Sequence, residues 1–285
     1  MPWLLRGTWI GVALLALPAL DAAFEDRSRT AHDVARLIGG ALWLIGVAAM
    51  AVPAVVSLTA TRVVVPLAVP VSLATAVGGA DAALAAAFVA VSLVSTSLAL
   101  SAPLGRAFVQ ASAYGDEDRH LLRPPLAYLL AAALTWMVWA GAVLTGPLLL
   151  ADHQWVLGGI LCTLAAGGAL WAWRRWHKLS RRWFVLVPTG VVVHDQLVLG
   201  ETLMVRRGDV AALRLAPAGT QALDLTGPAS GHAVEVLTRS PATAILAATP
   251  KTPRGHAMHF TACLVSPTRP GQLLAAARER HLPVG

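Results

Sequence analysis

Five long stretches of this chain, residues 37–61, 63–80, 82–105, 126–151 and 154–173, contain no Asp, Glu, Lys or Arg. A helix rises about 1.5 Å per residue, so roughly 20 apolar residues cross the ~30 Å hydrocarbon core of a bilayer. Composition agrees, with 56% of the 285 residues hydrophobic and 13% charged, where a water-soluble domain carries about 25% charged residues. Disordered, collagen-like and disulfide-scaffold classes are excluded. The two cysteines, Cys162 and Cys263, cannot build a covalent framework.

A sixth apolar segment lies near the N-terminus. Residues 7–20 give only 14 uncharged positions, about 21 Å of helix, but the segment runs on to residue 24 if Arg6 extends back to the membrane surface. The competing reading is a secretory signal peptide cut near Ala22 or Ala23. Either cut places Leu20 or Asp21 where a small residue is needed, so a retained span is expected. Spans are therefore placed near 7–24, 37–60, 63–80, 82–103, 126–151 and 154–173, with Arg62 in a break between the second and third. The third and fourth form a hairpin turning at Gly78, Gly79 and Asp81.

Orientation follows from the basic residues near span ends. With the C-terminal part in the cytoplasm, ten Arg and Lys fall on inner segments and three, Arg27, Arg29 and Arg36, on outer ones. Trp155, Trp171, Trp173 and Trp176 are expected at the membrane interfaces, and Trp136 and Trp139 at packing positions within a span.

Charge divides sharply along the chain. Residues 1–173 carry 8 Arg and Lys against 9 Asp and Glu, whereas residues 174–285 carry 14 against 6, which together give the net +7. Residues 174–182 hold five cations, Arg174, Arg175, Lys178, Arg181 and Arg182, and no acid. Next to an anionic leaflet each contributes about 1 kcal/mol of attraction. They serve either as membrane-surface contacts or simply as a stop-transfer signal.

From residue 183 the pattern changes to short β-strands separated by turns. Segments 183–188 and 191–195 flank Thr189-Gly190, a hairpin signature. Further strands are read at 201–206, 210–215, 222–226, 233–238, 242–248 and 258–265, followed by a helix opening at Pro270 and ending before Pro283. The expected fold is a membrane helical bundle of about six spans followed by a small, mainly β domain over 183–285, a barrel or bent sandwich with a C-terminal helix.

The stretches Arg182-Trp-Phe-Val-Leu-Val-Pro-Thr-Gly-Val-Val-Val-His-Asp, Leu197-Val-Leu-Gly-Glu-Thr-Leu and Asp209-Val-Ala-Ala-Leu-Arg214 resemble the opening strands of bacterial pleckstrin-homology-like domains appended to membrane helices. The whole chain is similar to multi-pass membrane proteins of high-GC actinobacteria that carry such a domain. This resemblance implies a binding or scaffolding barrel at the membrane face. Eukaryotic relatives hold phosphoinositides through cations of the first hairpin loop; here that loop, Pro188-Thr189-Gly190, has none. Arg206 and Arg207 form the substitute candidate.

No phosphate loop, dinucleotide-binding glycine pattern or nucleophile elbow is present, and Ser230 and His232 sit in the wrong register for a nucleophile pair. No enzyme and no cofactor are expected. His256, His259 and Cys263 are possible zinc ligands, but on a strand His256 faces away from the other two, and no metal site is assigned. Asp116, Glu117 and Asp118 are positioned either to dock against 174–182 or to be solvated loop charges. The spans as drawn have no ionisable residue in their middles, and Ser92, Ser95, Thr96 and Ser97 suit helix packing as well as substrate contact.

The functional expectation is a plasma-membrane protein with a cytoplasmic C-terminus. It acts as a non-enzymatic scaffold or regulatory module whose β domain meets anionic headgroups or a protein partner, and not nucleic acid. The alternative is a small transporter or lipid-handling protein.

Overall fold

The computed structural model describes residues 1–248, 252 and 255–285. Among the described residues six helices are long and apolar enough to cross a membrane, and a small β unit follows them. The protein is a multi-pass membrane protein built as a helical bundle plus a β domain. The chain divides into two compact units, Met1–Phe108 with Ala132–Trp176 and Val109–Ala131 with His177–Gly285.

In the helical unit α1 (Pro2–Ala23) packs against α2 (Arg29–Ala51), α4 (Ala68–Val77) and α5 (Ala82–Leu100). Two tryptophans lock α1 to α2 reciprocally: Trp9 Nε1 donates to the Trp43 carbonyl at 3.1 Å and Trp43 Nε1 to the Trp9 carbonyl at 2.9 Å. An indole N–H within an apolar bundle needs such an acceptor. Gly46 makes the close approach possible, since a Cβ there would lie 2.7 Å from the Trp9 ring.

The third span differs from the sequence expectation. The chain breaks at Val52-Pro53-Ala54, where Val52 and Ala54 are extended, as proline imposes on the residue before it. Helix α3 (Val55–Val64) then runs through Arg62, and a 3-10 turn at Val65–Leu67 joins it to α4. The span is thus Val55–Val77, and Arg62 lies inside it, not in a break between spans. The expected hairpin into α5 is present: Asp81 caps α5, accepting from the Ala83 and Leu84 N–H groups at 3.0 and 3.1 Å.

After the short helix α6 (Ala102–Gln110), the last two spans are α7 (Leu126–Ala151) and α8 (Trp155–Ser180). Helix α8 continues seven residues past the expected end, so most of the basic segment is helical. Trp136 donates to the Val63 carbonyl at 2.9 Å, and Trp136 and Trp139 pack against a cluster of Val63, Ala172 and Trp176. Trp176 is buried in that cluster.

The β unit consists of two four-stranded sheets. The first has the order β1 (Asp118–Leu121), β2 (Arg182–Val187), β3 (Gly190–Asp195), β4 (Leu203–Arg206). The second places β5 (Val210–Leu215), β7 (Val234–Leu246), β8 (His256–Val265) and β6 (Leu223–Asp224) side by side. Inward residues of both sheets, among them Phe184, Leu186, Val193, Leu213 and Val236, share one core with Leu273 and Ala277 of α9 (Pro270–Glu279).

The β2–β3 hairpin turns at Gly190, where a Cβ would collide with the Val205 carbonyl oxygen. The two strands read at 233–238 and 242–248 are one strand, β7, with a bulge between Leu237 and Ala242 that absorbs the Arg239-Ser240-Pro241 interruption.

Strand β1 is the main departure from the expected domain layout. It comes from the segment between spans α5 and α7, read from sequence as a loop, and pairs antiparallel with β2, Leu121 opposite Trp183 and Asp118 opposite Leu186.

Arg182, at the start of β2, is completely buried. Its Nε and Nη2 meet Asp195 Oδ1 and Oδ2 at 2.8 and 2.6 Å, and its remaining donors reach the Arg123 and Thr226 carbonyls at 2.5 and 3.3 Å. Asp195 also accepts from the Leu197 N–H at 3.0 Å. Removing one partner of a buried pair strands the other charge, at about 3–5 kcal/mol. Arg182→Ala is therefore expected to speed amide hydrogen exchange in β2 and β3 by roughly two to four orders of magnitude. The double replacement Arg182→Met with Asp195→Leu is expected to restore most of the protection.

Candidate membrane-face site

The five cations of residues 174–182 do not share one environment. Arg174, Arg175 and Lys178 are exposed on the last turns of α8, and Arg181 is half-buried. Arg175 lies over the Trp171 ring, 3.6 Å from its centroid, and donates to the Trp171 carbonyl at 3.0 Å. A cation stacked on an exposed indole is suited to a membrane interface. Arg182 is withdrawn into the β core by Asp195, so it is not a surface contact. Its charge is neutralised by a bidentate carboxylate.

The acids of the 115–120 loop find partners close to β1. Asp116 pairs with Arg280 at 2.6 Å, Glu117 with Arg119 at 2.8 Å and Asp118 with His120 at 3.1 Å. The Gln110 side chain brackets the strand start, donating to the Glu117 carbonyl at 2.7 Å and accepting from the Arg119 N–H at 2.8 Å. The Asp116–Arg280 pair ties this segment to the residue after α9, and the other contacts shape the segment itself.

Across the outer face of the first sheet runs a row of stacked groups. The Arg119 guanidinium lies 5.4 Å from the Trp183 ring centroid and 5.9 Å from that of Tyr114. Trp183 in turn stacks on His194 at 4.8 Å, with the planes 20° apart. His194 Nδ1 lies 3.1 Å from Thr202 Oγ1, while its Nε2 is buried without a hydrogen-bond partner. Burial, reinforced by the positive charges of Arg181 and Arg119, pushes the His194 pKa below the ordinary histidine range.

Of the arginine pair at 206–207, Arg206 is exposed. Arg207 donates to the Arg280 and His281 carbonyls at 2.8 and 3.1 Å, closing the C-terminal end of α9. His259 bonds Thr243 at 2.9 Å, and burial pushes the Cys263 thiol up to about 12. Among the described residues, no group of three or more His, Cys, Asp or Glu is arranged to hold a metal.

Two features of the helical unit escaped sequence reasoning. One is Arg62 inside the third span. The other is an apolar cavity of about 360 Å³ lined by Trp9, Leu20, Gly39, Trp43, Leu67 and Phe88, with Arg36 among its walls. Arg36 and His32 both pair with Asp21, at 2.6 and 3.0 Å. Hydrophobic stretches report membrane residence, but only helix packing discloses a cavity between them.

Comparison of the chain with family models, with curated proteins and with solved structures returned no match in any of the three.

The lowered His194 pKa has a definite sign. The unfolded chain binds this proton more tightly than the folded one, so stability rises with pH and falls as pH drops through the ordinary histidine value of about 6.5. Thermal unfolding of the purified protein between about pH 5 and pH 8 is expected to show this loss on the acid side. His194→Gln is expected to flatten it.

Proposed function

We propose that this protein is a non-enzymatic regulatory module of the plasma membrane, with a pleckstrin-homology-like β unit at the cytoplasmic face that engages the anionic leaflet and through it a protein partner. The observation that carries the reading is the origin of β1. The first sheet takes one strand from the connection between spans α5 and α7 and its neighbour directly after α8. Whatever binds the β unit therefore strains or relaxes two covalent junctions with membrane helices, which suits transmission of a binding event better than simple tethering.

Exposed Arg174, Arg175 and Lys178 supply the leaflet contact, and Arg206 a further cation on the β unit. The cytoplasmic side follows from the distribution of basic residues. The pleckstrin-homology-like reading is supported by two sheets sharing one core with a C-terminal helix. The actinobacterial resemblance rests on sequence texture alone.

A second reading, lipid handling, is favoured by the cavity of about 360 Å³ in the helical unit. Its volume lies within the range of ligand pockets, about 300–1,000 Å³, and its apolar lining suits a hydrocarbon chain.

The leaflet contact is tested on the full chain in nanodiscs of phosphatidylglycerol or phosphatidylcholine, by hydrogen exchange of the last turns of α8 and of β2. Stronger protection is expected in phosphatidylglycerol at about 0.05 M salt, fading at about 0.5 M where charges are screened. It is expected to be lost when Arg174, Arg175 and Lys178 are changed to Gln. Equal protection in both lipids would refute the electrostatic contact.

A further inference from the structure

The third and fourth spans contain a concentration of polar atoms that the bundle leaves unsatisfied. Thr61 Oγ1, Arg62 Nε, Ser92 Oγ, Ser95 Oγ and Thr96 Oγ1 are all buried without a hydrogen-bond partner. Thr61, Ser92 and Ser95 are 0% exposed. This is not the general state of hydroxyls in these helices. Thr59 donates to the Val55 carbonyl at 3.1 Å, Ser72 to that of Val69 at 2.8 Å and Thr75 to that of Ser72 at 3.0 Å. The unsatisfied groups are thus confined to one part of the hairpin.

Topology brings them to one level. The third span and α5 run antiparallel from the turn at Gly78 and Gly79, and both α3 and its following 3-10 turn pack on α5. Arg62 stands about 17 residues before the centre of that turn, and the same count along α5 reaches Thr96 and Ser97, at the 1.5 Å rise shared by both helices. Ser92, Ser95 and Thr96 follow the i, i+3, i+4 spacing of a single helix face. Thr61 and Arg62 therefore lie opposite the hydroxyl-bearing end of α5. Val63, the next residue, is anchored by the Trp136 N–H on its carbonyl and by packing against Ala172 and Trp176, which fixes the backbone carrying the guanidinium. Pro66 has no N–H to offer the Arg62 carbonyl four residues earlier.

Charge selects the ligand. Arg62 is the eighth residue of the span, about 10 Å along it from Val55, where an unpaired cation is costly. Asp21 is paired with Arg36 and His32, Asp81 caps the start of α5, roughly 28 Å of helix away from Arg62, and Asp33 is exposed in the first turns of α2. Among the described residues no acid pairs with Arg62. A planar guanidinium at the level of unsatisfied hydroxyl donors matches the oxygens of a phosphate group.

We propose that Thr61, Arg62, Ser92, Ser95 and Thr96 form an intramembrane binding site for a phosphate oxyanion, supplied either by the headgroup of an anionic phospholipid or by free phosphate. Arg62 neutralises the charge, and the hydroxyls donate to the phosphate oxygens the hydrogen bonds that water supplies outside the membrane. The site uses none of the membrane-face cations and does not depend on their role.

The test is thermal unfolding of the full-length protein in detergent, with inorganic phosphate titrated at constant ionic strength in one arm and phosphatidylglycerol, against phosphatidylcholine, in the other. A bound ligand raises stability with the logarithm of its concentration. The expected result is such a rise in at least one arm, abolished in Arg62→Gln and at least halved in Ser95→Ala with Thr96→Val. The rise should be unchanged in Ser72→Ala, whose hydroxyl is already bonded within its helix. Response to phosphatidylglycerol alone identifies the lipid as the source, and response to phosphate identifies the free anion. Should Arg62→Gln fail to fold, the Ser95–Thr96 double variant carries the same comparison. A wild type indifferent to both probes, or variants that respond as fully as wild type, would overturn the site.

Discussion

The bidentate pair between Arg182 and Asp195 is the contact on which the β unit is organised. It closes the open end of the β2–β3 hairpin, whose other end turns at Gly190, and its spare donors reach the Arg123 carbonyl before α7 and the Thr226 carbonyl after β6. Four segments distant in sequence are tied to one guanidinium, the geometry for which arginine is better suited than lysine. A buried ion pair adds little net stability over well-packed apolar residues, but separating its members is expensive. Its consequence here is registration: β2 and β3 can pair in one way only, and the chain entering α7 is fixed beside them.

That registration explains how a segment between two membrane spans becomes part of a sheet. Once the Arg123 carbonyl is held by Arg182, residues 118–121 lie along β2, and Gln110, Arg119 and Asp116 complete the attachment through Glu117, Trp183 and Arg280. The acids Asp116, Glu117 and Asp118, for which docking on the basic run at 174–182 and solvation were the alternatives, pair with groups of the β unit. The β unit is consequently discontinuous in sequence, and its two pieces are separated by the whole of a helical hairpin.

The membrane helices obey a different economy. With no water to satisfy backbone or side chain, each polar group needs an internal partner, and most find one: the Trp9 and Trp43 indoles bond each other's helices, Trp136 bonds Val63, and Asp81 caps α5. Against that background the unpartnered group at Thr61, Arg62, Ser92, Ser95 and Thr96 stands out. A charge in an apolar run predicts the end of a span, which is why Arg62 reads as a break although it lies within Val55–Val77. Pro53 is the true break, since proline removes a helical hydrogen bond whereas a single arginine does not.

Much of the architecture was legible without coordinates. The apolar runs fixed the helical bundle, because span length follows from bilayer thickness, and alternation with turn residues located β2, β3 and β5 and the helix opening at Pro270. The exposed cations at 174, 175 and 178 were also readable, as a cluster without acids. Local pattern could not reveal that β1 belongs to the β unit, since four residues with charges at two of them carry no strand signal apart from their partner. Nor could it separate Arg182 from its four basic neighbours, because burial depends on Asp195 arriving thirteen residues later across a hairpin. Sequence by itself determined which segments leave water and which stay in it, a matter of transfer free energy summed over each residue. Tertiary structure alone decided which charges are buried, paired or left unpartnered, because those outcomes depend on distances between residues far apart in the chain.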